Sequence, residues 1–220
     1  MKAMILAAGK GARMRPLTDK LPKPLLKIAD KPILQYHIES LVAAGVSELI
    51  INHASMGALI EDYFGSGEIY KANIVYSPEG EEPLETGGGI KRALPLLGDA
   101  PFIVVNGDIW TDYDFSLLPE EPPGLAHLVL VNNPPHHPLG DFQLEETLVG
   151  DSDGDRATFS GIGVYRPALF ESECREAFPL TPILRDAMKK GLVTGELYKG
   201  AWYDIGTPER LEAANNKVLC

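Results

Sequence analysis

The first 106 residues alternate short apolar runs with stretches of helical spacing, and that cadence restricts the fold more than any other feature of the chain. Residues 2–7 (KAMILA) form an apolar run that leads into glycines, which predicts a buried parallel strand. Residues 32–44 (PILQYHIESLVAA) place Ile33, Tyr36, His37, Leu41 and Ala44 at helical spacing, with Gly45 as the stop. A strand at 48–52 and a helix at 55–64 follow, with Ser55 as the expected N-cap. A third strand is expected at 73–77 and a helix at 86–97, near whose start stand three glycines. The fourth strand, 101–106, is apolar throughout, which predicts a central place. This alternation means βαβ units wound into a mostly parallel sheet with helices on both faces.

The second half is less regular. Strands are expected at 126–131 and 159–165, and a helix at 179–190 capped by Thr181 with Pro182 in its first position. A hairpin or edge pair at 192–198 and 200–204 precedes a closing helix at 207–218, capped by Thr207. With no internal repeat or low-complexity linker, the expectation is one α/β domain over residues 1–220 with an inserted antiparallel part.

Its 220 residues, 45% of them hydrophobic, are enough for a full core. The 20 Lys+Arg against 31 Asp+Glu leave a formal charge of −11, which argues against general adhesion to nucleic acid or an anionic membrane. No apolar run approaches the ~20 residues of a membrane helix. The opening apolar stretch is too short for a secretion signal, and Cys174 and Cys220 lack metal-ligand spacing, so free thiols in a cytoplasmic protein are expected. Without a sustained heptad, the expected state is a monomer or weak dimer.

Behind the first strand stands the stretch 7–18 (AAGKGARMRPLT). Glycine at such a place lets the backbone approach a ligand and turn N–H groups toward phosphate oxygens. A dinucleotide fingerprint would need glycine where Met14 stands, and a Walker loop is broken by Ala12 and Arg13. What remains is a glycine loop with five cations within residues 10–23: Lys10, Arg13, Arg15, Lys20 and Lys23. Pro22 and Pro24 flank Lys23 and stiffen its backbone, which suits a charge held at a set distance from phosphate. The fourth strand ends in Asn106, Gly107 and Asp108, at the strand end where open parallel sheets bind ligands. Asp204 ends another short strand ahead of a capped helix. Two aspartates from distant segments, completed by phosphate oxygens, describe a Mg²⁺ site.

These motifs, the glycine stretch 7–18, PKPL at 22–25, Gly107 with Asp108, and WYDIGTP at 202–208, resemble in order those of the sugar-1-phosphate nucleotidyltransferases. The resemblance covers nearly the whole chain. It implies a Rossmann-like, GT-A-like three-layer domain, with a nucleotide-binding half over about 1–110 and a sugar-binding half over 111–220. It implies that the amides of Gly9, Gly11 and Ala12 and the Arg13 guanidinium hold the β- and γ-phosphates. Lys23 then neutralises charge at the α-phosphoryl group, and Asp108 and Asp204 hold Mg²⁺. The Ala8 backbone, Glu82 and Gly87 are the expected contacts of the base, with Asn52 either reaching the same crevice or capping the next helix. Asn106, Asp141 and Gly161 are the expected contacts of the sugar.

Within the family, PLETGGG at 83–89, VNGDIWTD at 105–112 and the stretch 132–142 are similar to the members of bacterial cell-wall recycling. That implies UTP as donor and N-acetylmuramate α-1-phosphate as acceptor; the alternatives are guanylyl transfer to mannose 1-phosphate, thymidylyl or uridylyl transfer to glucose 1-phosphate, phosphocholine cytidylyl transfer, or a catalytically silent nucleotide-binding subunit. The chain departs from the family in two places: Glu85 stands within a common Leu-Gly-Thr, and no Glu-Lys-Pro element follows Phe142. No hexapeptide-repeat helix is present, so neither acyl transfer nor a trimer built on one is expected.

Other features read as structural. The acidic turn Asp151, Asp153, Asp155 lacks the spacing of an EF-hand. His136 and His137 lie in a Pro-rich loop without a second ligand pair, which argues against zinc and leaves a sugar-side lid as the alternative; His37 falls on an apolar helix face, and Trp110 is expected to pack. The acidic run 79–85 reads as a solvated loop with one member turned to the base.

Overall fold

A computed structural model describes residues 1–152 and 154–218; Asp153 of the acidic turn and the thiol of Cys220 lie outside the described residues. Strand β1 (Lys2–Leu6) shows why a continuous apolar run is required: Ala3 and Ile5 face one buried layer and Met4 the other, and all three are fully buried. It is followed by a small ribbon, β2 (Lys27–Ile28) with β3 (Lys31–Pro32), and by α1 (Ile33–Ala43). Then come β4 (Glu48–His53), α2 (Gly57–Phe64), β5 (Asn73–Pro78), α3 (Glu85–Leu97) and β6 (Phe102–Asn106). The later elements are β7 (Ile109–Thr111), β8 (Ala126–Val131), β9 (Phe142–Glu145), β10 (Leu148–Gly150), β11 (Arg156–Tyr165), α4 (Leu180–Met188), β12 (Val193–Tyr198), β13 (Trp202–Asp204) and α5 (Pro208–Val218).

The main sheet has nine strands in the order β5-β4-β1-β6-β11-β8-β12-β10-β9. Its first four strands are parallel, as the alternation predicted, and β6 lies in the middle of the sheet. Beyond β6 the sheet is mixed: β11 runs antiparallel to β6 and β8, while β12 is parallel to β8. The sheet is therefore less parallel than expected. α1 and α2 pack on one face with Ile5, Ile51 and Val105, and α3 and α4 on the other with Met4, Ile50 and Val104. A third cluster joins Met14, Ile33, Ile205 and Leu211, so the side chain that displaced a dinucleotide glycine pins the glycine stretch to α5.

Three local expectations fail. α2 starts at Gly57, after Met56 in the left-handed region, so Ser55 is not its cap. α4 starts at Leu180, whose N–H donates to Thr86 Oγ1 at 3.0 Å; Thr181 lies inside the helix, and a side chain from α3, packed beside α4 on the same face, takes over the capping. The segments 192–198 and 200–204 do not pair with each other. β12 joins the main sheet beside β8, and β13 pairs antiparallel with β7. No helix among the described residues is long and apolar enough to cross a membrane.

Candidate active site

The strand order reverses at β1, since β4 and β5 lie to one side of it and β6 to the other. At the C-terminal ends of these strands opens a cavity of about 350 Å³. Its wall includes Ala8, Gly9, Gly11, Ala12 and Arg13 from the glycine stretch, Lys23, Asn52 beyond the middle of β4, Glu79 just after β5, Asn106 at the end of β6 and Asp108 in the turn that follows it. Space beside Gly9 is open, as a backbone surface for a ligand requires. Gly11 has φ +61, and its carbonyl accepts the Thr18 hydroxyl at 2.8 Å, which closes the turn. Gly107 approaches β1 closely: its N–H donates to Leu6 O at 2.8 Å, and a Cβ would stand 2.6 Å from that oxygen. This contact brings Asp108 next to the glycine stretch.

Asn52 is buried and caps no helix. Its Oδ1 accepts Ala7 N–H at 2.8 Å, and its Nδ2 donates to Glu79 Oε1 at 2.6 Å. Glu79 is also buried and accepts Leu84 N–H at 2.7 Å. The acidic run sets two members on the cavity wall, Glu79 and the exposed Glu85, and of these Glu79 is the one turned into the protein. The structure does not bring Glu82 to the cavity wall; it is exposed and paired with Lys10 at 2.5 Å. Nor does Gly87 line the cavity. A Cβ there would stand 2.3 Å from the Phe178 ring, so this glycine makes room for protein. Sequence spacing alone could not select Glu79, because the selection rests on the Asn52 amide arriving from β4.

A second cavity, of about 450 Å³, lies alongside and shares Arg13, Asn106 and Asp108 with the first. His136, His137, Asp141, Phe159, Trp202, Asp204 and Arg210 complete much of its wall. Asp141 Oδ2 accepts Phe159 N–H at 2.8 Å, and its Oδ1 faces His137 Nε2 at 3.1 Å. The register of β11 against β8 shifts between Phe159 and Ile162, a bulge that contains Gly161 at φ +85. Gly161 itself is absent from the cavity wall; a Cβ there would stand 2.5 Å from Asn106 Nδ2, so this glycine leaves space for the Asn106 amide. Trp202 Nε1–H donates to Ser160 O at 2.9 Å and ties β13 to the same bulge.

Asp108 and Asp204 arrive side by side. Asp204 pairs with Ile109 across β13 and β7, and Ile205 N–H donates to Asp108 O at 2.9 Å. Lys23 Nζ sits 2.6 Å from Asp108 Oδ2, and Arg210 Nη1 donates to Asp204 Oδ2. Two carboxylates brought side by side from distant segments suit a hard divalent ion that takes its other ligands from phosphate. Among the described residues no three His, Cys, Asp or Glu side chains gather into a metal cage. The donor set fits an ion shared with substrate.

His37 is core, as expected: its ring is buried and Nε2–H donates to Ile109 O at 2.9 Å. Burial pushes its pKa down to about 4, against the smaller upward pulls of that hydrogen bond and of Asp108. Trp110 packs against Tyr36 and Tyr203 and lines neither cavity.

A glycine turn, lysine and two aspartates around joined cavities at strand C-termini define an α/β enzyme that handles phosphates. Residues 2–121 match the family model described as nucleotidyl transferase, and the chain belongs to that family. It is 51% identical, over 97% of its length and 96% of the relative's, to the N-acetylmuramate alpha-1-phosphate uridylyltransferase of Neisseria meningitidis serogroup B. The protein of the same name from Caulobacter vibrioides is 33% identical over 98% of this chain and 96% of its own. A UDP-glucose pyrophosphorylase crystallised with UDP-glucose has the same fold, with a TM-score of 0.79 at 22% identity over 99% of this chain and 98% of that one.

Proposed function

We propose that this chain transfers the uridylyl group of UTP to N-acetylmuramate α-1-phosphate, giving UDP-N-acetylmuramate and pyrophosphate, in the cytoplasmic recycling of cell-wall sugar. The observation that carries the proposal is the 51% identity, sustained along almost the whole of both chains, to a relative with that name. We read residues 1–220 as one unit, with the first cavity for the nucleotide and the second for the sugar. A phosphate oxygen of the acceptor attacks the α-phosphorus in line; the bond from that phosphorus to the β-phosphate bridging oxygen breaks, and pyrophosphate leaves. The nucleophile is already ionised, so no general base is needed, and the demand is to align two anions and cancel their repulsion.

In this reading the amides of Gly9–Ala12 and the Arg13 guanidinium hold the β- and γ-phosphates, and Lys23 neutralises the α-phosphoryl oxygens. The buried Asn52–Glu79 pair fixes the strand ends under the base. Asn106 and Asp141 orient the sugar through its hydroxyls. Asp108 and Asp204 are the residues that would hold Mg²⁺, which when bound supplies further positive charge to the phosphate oxygens. Pyrophosphate release across a panel of four nucleoside triphosphates and several sugar 1-phosphates tests the proposal. Turnover is expected with UTP and N-acetylmuramate 1-phosphate; preference for another triphosphate overturns the base assignment.

A further inference from the structure

Arg210 has no part in the transfer proposed for the two cavities, yet it lines the second of them beside Asp204. It lies in the first turn of α5, and its backbone N–H reaches Thr207 Oγ1 at 3.4 Å. Nη1 donates to Asp204 Oδ2 and lies 2.9 Å from His136 Nε2, while His136 Nε2 is 3.3 Å from Asp204 Oδ2. A Cβ on residue 206 would stand 2.4 Å from Nη2, so Gly206 leaves the space that the guanidinium fills. Gly206 lines the first cavity and Arg210 the second. Of the lysines and arginines on the wall of the second cavity, Arg13 also faces the first, and Arg210 does not.

We propose that Arg210, with His136 beside it, is the cation that binds the phosphate monoester of the acceptor sugar. The inference rests on the transferase function proposed for the chain and names a residue for a task still unassigned in it. A dianionic acceptor must come within reach of the α-phosphorus beside Lys23 and Asp108, and Arg210 flanks that point across β13. Asp204 fixes the guanidinium plane through Nη1, while Nη2 and Nε have no hydrogen-bond partner among the described residues. A planar fork with free donors matches the oxygens of a phosphate better than a point charge does.

Steady-state kinetics with UTP and N-acetylmuramate 1-phosphate provide the test. R210Q should raise the KM for the sugar phosphate about 10- to 100-fold, the loss expected for one charge-assisted contact, while the KM for UTP stays unchanged and the Mg²⁺ requirement does not rise, since the variant removes a cation that competes for Asp204. R210K, which keeps the charge and loses the fork, should recover part of that loss; should R210Q fail to fold, a raised acceptor KM in R210K supports the proposal in its place. Calorimetric titration with N-acetylmuramate 1-phosphate and N-acetylglucosamine 1-phosphate should show an equal loss of affinity for both. A loss confined to the muramate compound assigns Arg210 to the lactyl carboxylate and overturns the proposal. Unchanged acceptor binding, or a rise in the UTP KM or metal requirement as large as that for the acceptor, overturns it also. If the wild-type enzyme instead turns over another acceptor, the function proposed for the chain fails, and the same variants measured with that acceptor decide the role of Arg210 separately.

Discussion

In the parallel strands β5, β4, β1 and β6, the groups around the first cavity sit at or close to strand ends: Ala8 and Gly9 after β1, Glu79 after β5, Asn106 and Asp108 around the end of β6. Across β6 the second cavity is assembled differently. Its wall draws on a bulge inside β11, on the loop that carries His136, His137 and Asp141, and on β13, a strand outside the main sheet. Parallel βαβ winding delivers its functional groups by repetition, since each crossover returns the chain to the same edge. The antiparallel half has no such rule, and it needs a bulge, a separate two-stranded sheet and cross-links such as Trp202 Nε1–H to Ser160 O to aim its side chains.

The junction is where both halves fail together. D108N should lower turnover by about 10³-fold or more in a pyrophosphate-release assay, because it removes charge from a carboxylate shared by both cavities. Its melting temperature should stay near that of the wild type, and an unaltered rate would show the two cavities to be joined elsewhere.

A second test concerns the stability of the parallel half. His37 is neutral in the fold, and its pKa of about 4 lies below the 6.5 of an exposed imidazole, so the unfolded chain binds the extra proton first. This contribution to stability is present above pH 6.5 and is lost as the pH falls from there toward 4. Denaturant unfolding should show a loss of about 2 kcal/mol between pH 7 and pH 5 that H37Q largely removes. An identical pH profile in H37Q would place the acid sensitivity elsewhere.

Two variants should separate the halves kinetically. E79A strands the Asn52 amide and the Leu84 N–H, and should raise the KM for UTP about tenfold with little change for the sugar phosphate. D141N weakens the carboxylate that accepts Phe159 N–H, and should do the reverse by a similar factor, about tenfold. Crossed effects would refute the assignment of one cavity to each substrate. The smallest change is expected from E82A, whose exposed pair with Lys10 is worth no more than about 1 kcal/mol; both KM values should stay close to wild type. A large rise in the UTP KM there would show that Glu82 folds inward on binding.

Much of this was legible in the chain. Periodicity located β1, β4, β6 and β8 to within a residue or two because an interior strand buried on both faces is apolar over most of its length, and β5 at the sheet edge through its short run of β-branched and aromatic residues. The glycine stretch, Lys23 and the two aspartates were visible as residue types suited to phosphate and metal, and the structure brings them around one junction. What sequence could not decide were choices made by groups far away along the chain. Glu79 rather than Glu82 turns inward because Asn52 waits for it. Gly87 serves Phe178 rather than a ligand, and Thr86 caps a helix 94 residues on. The segments 192–198 and 200–204, neighbours that read as a pair, part to different sheets. Local patterning fixes which face of a segment is apolar, and that is enough to form it. Which polar groups meet across the sheet depends on register and bulges, and these exist only once the strands have paired.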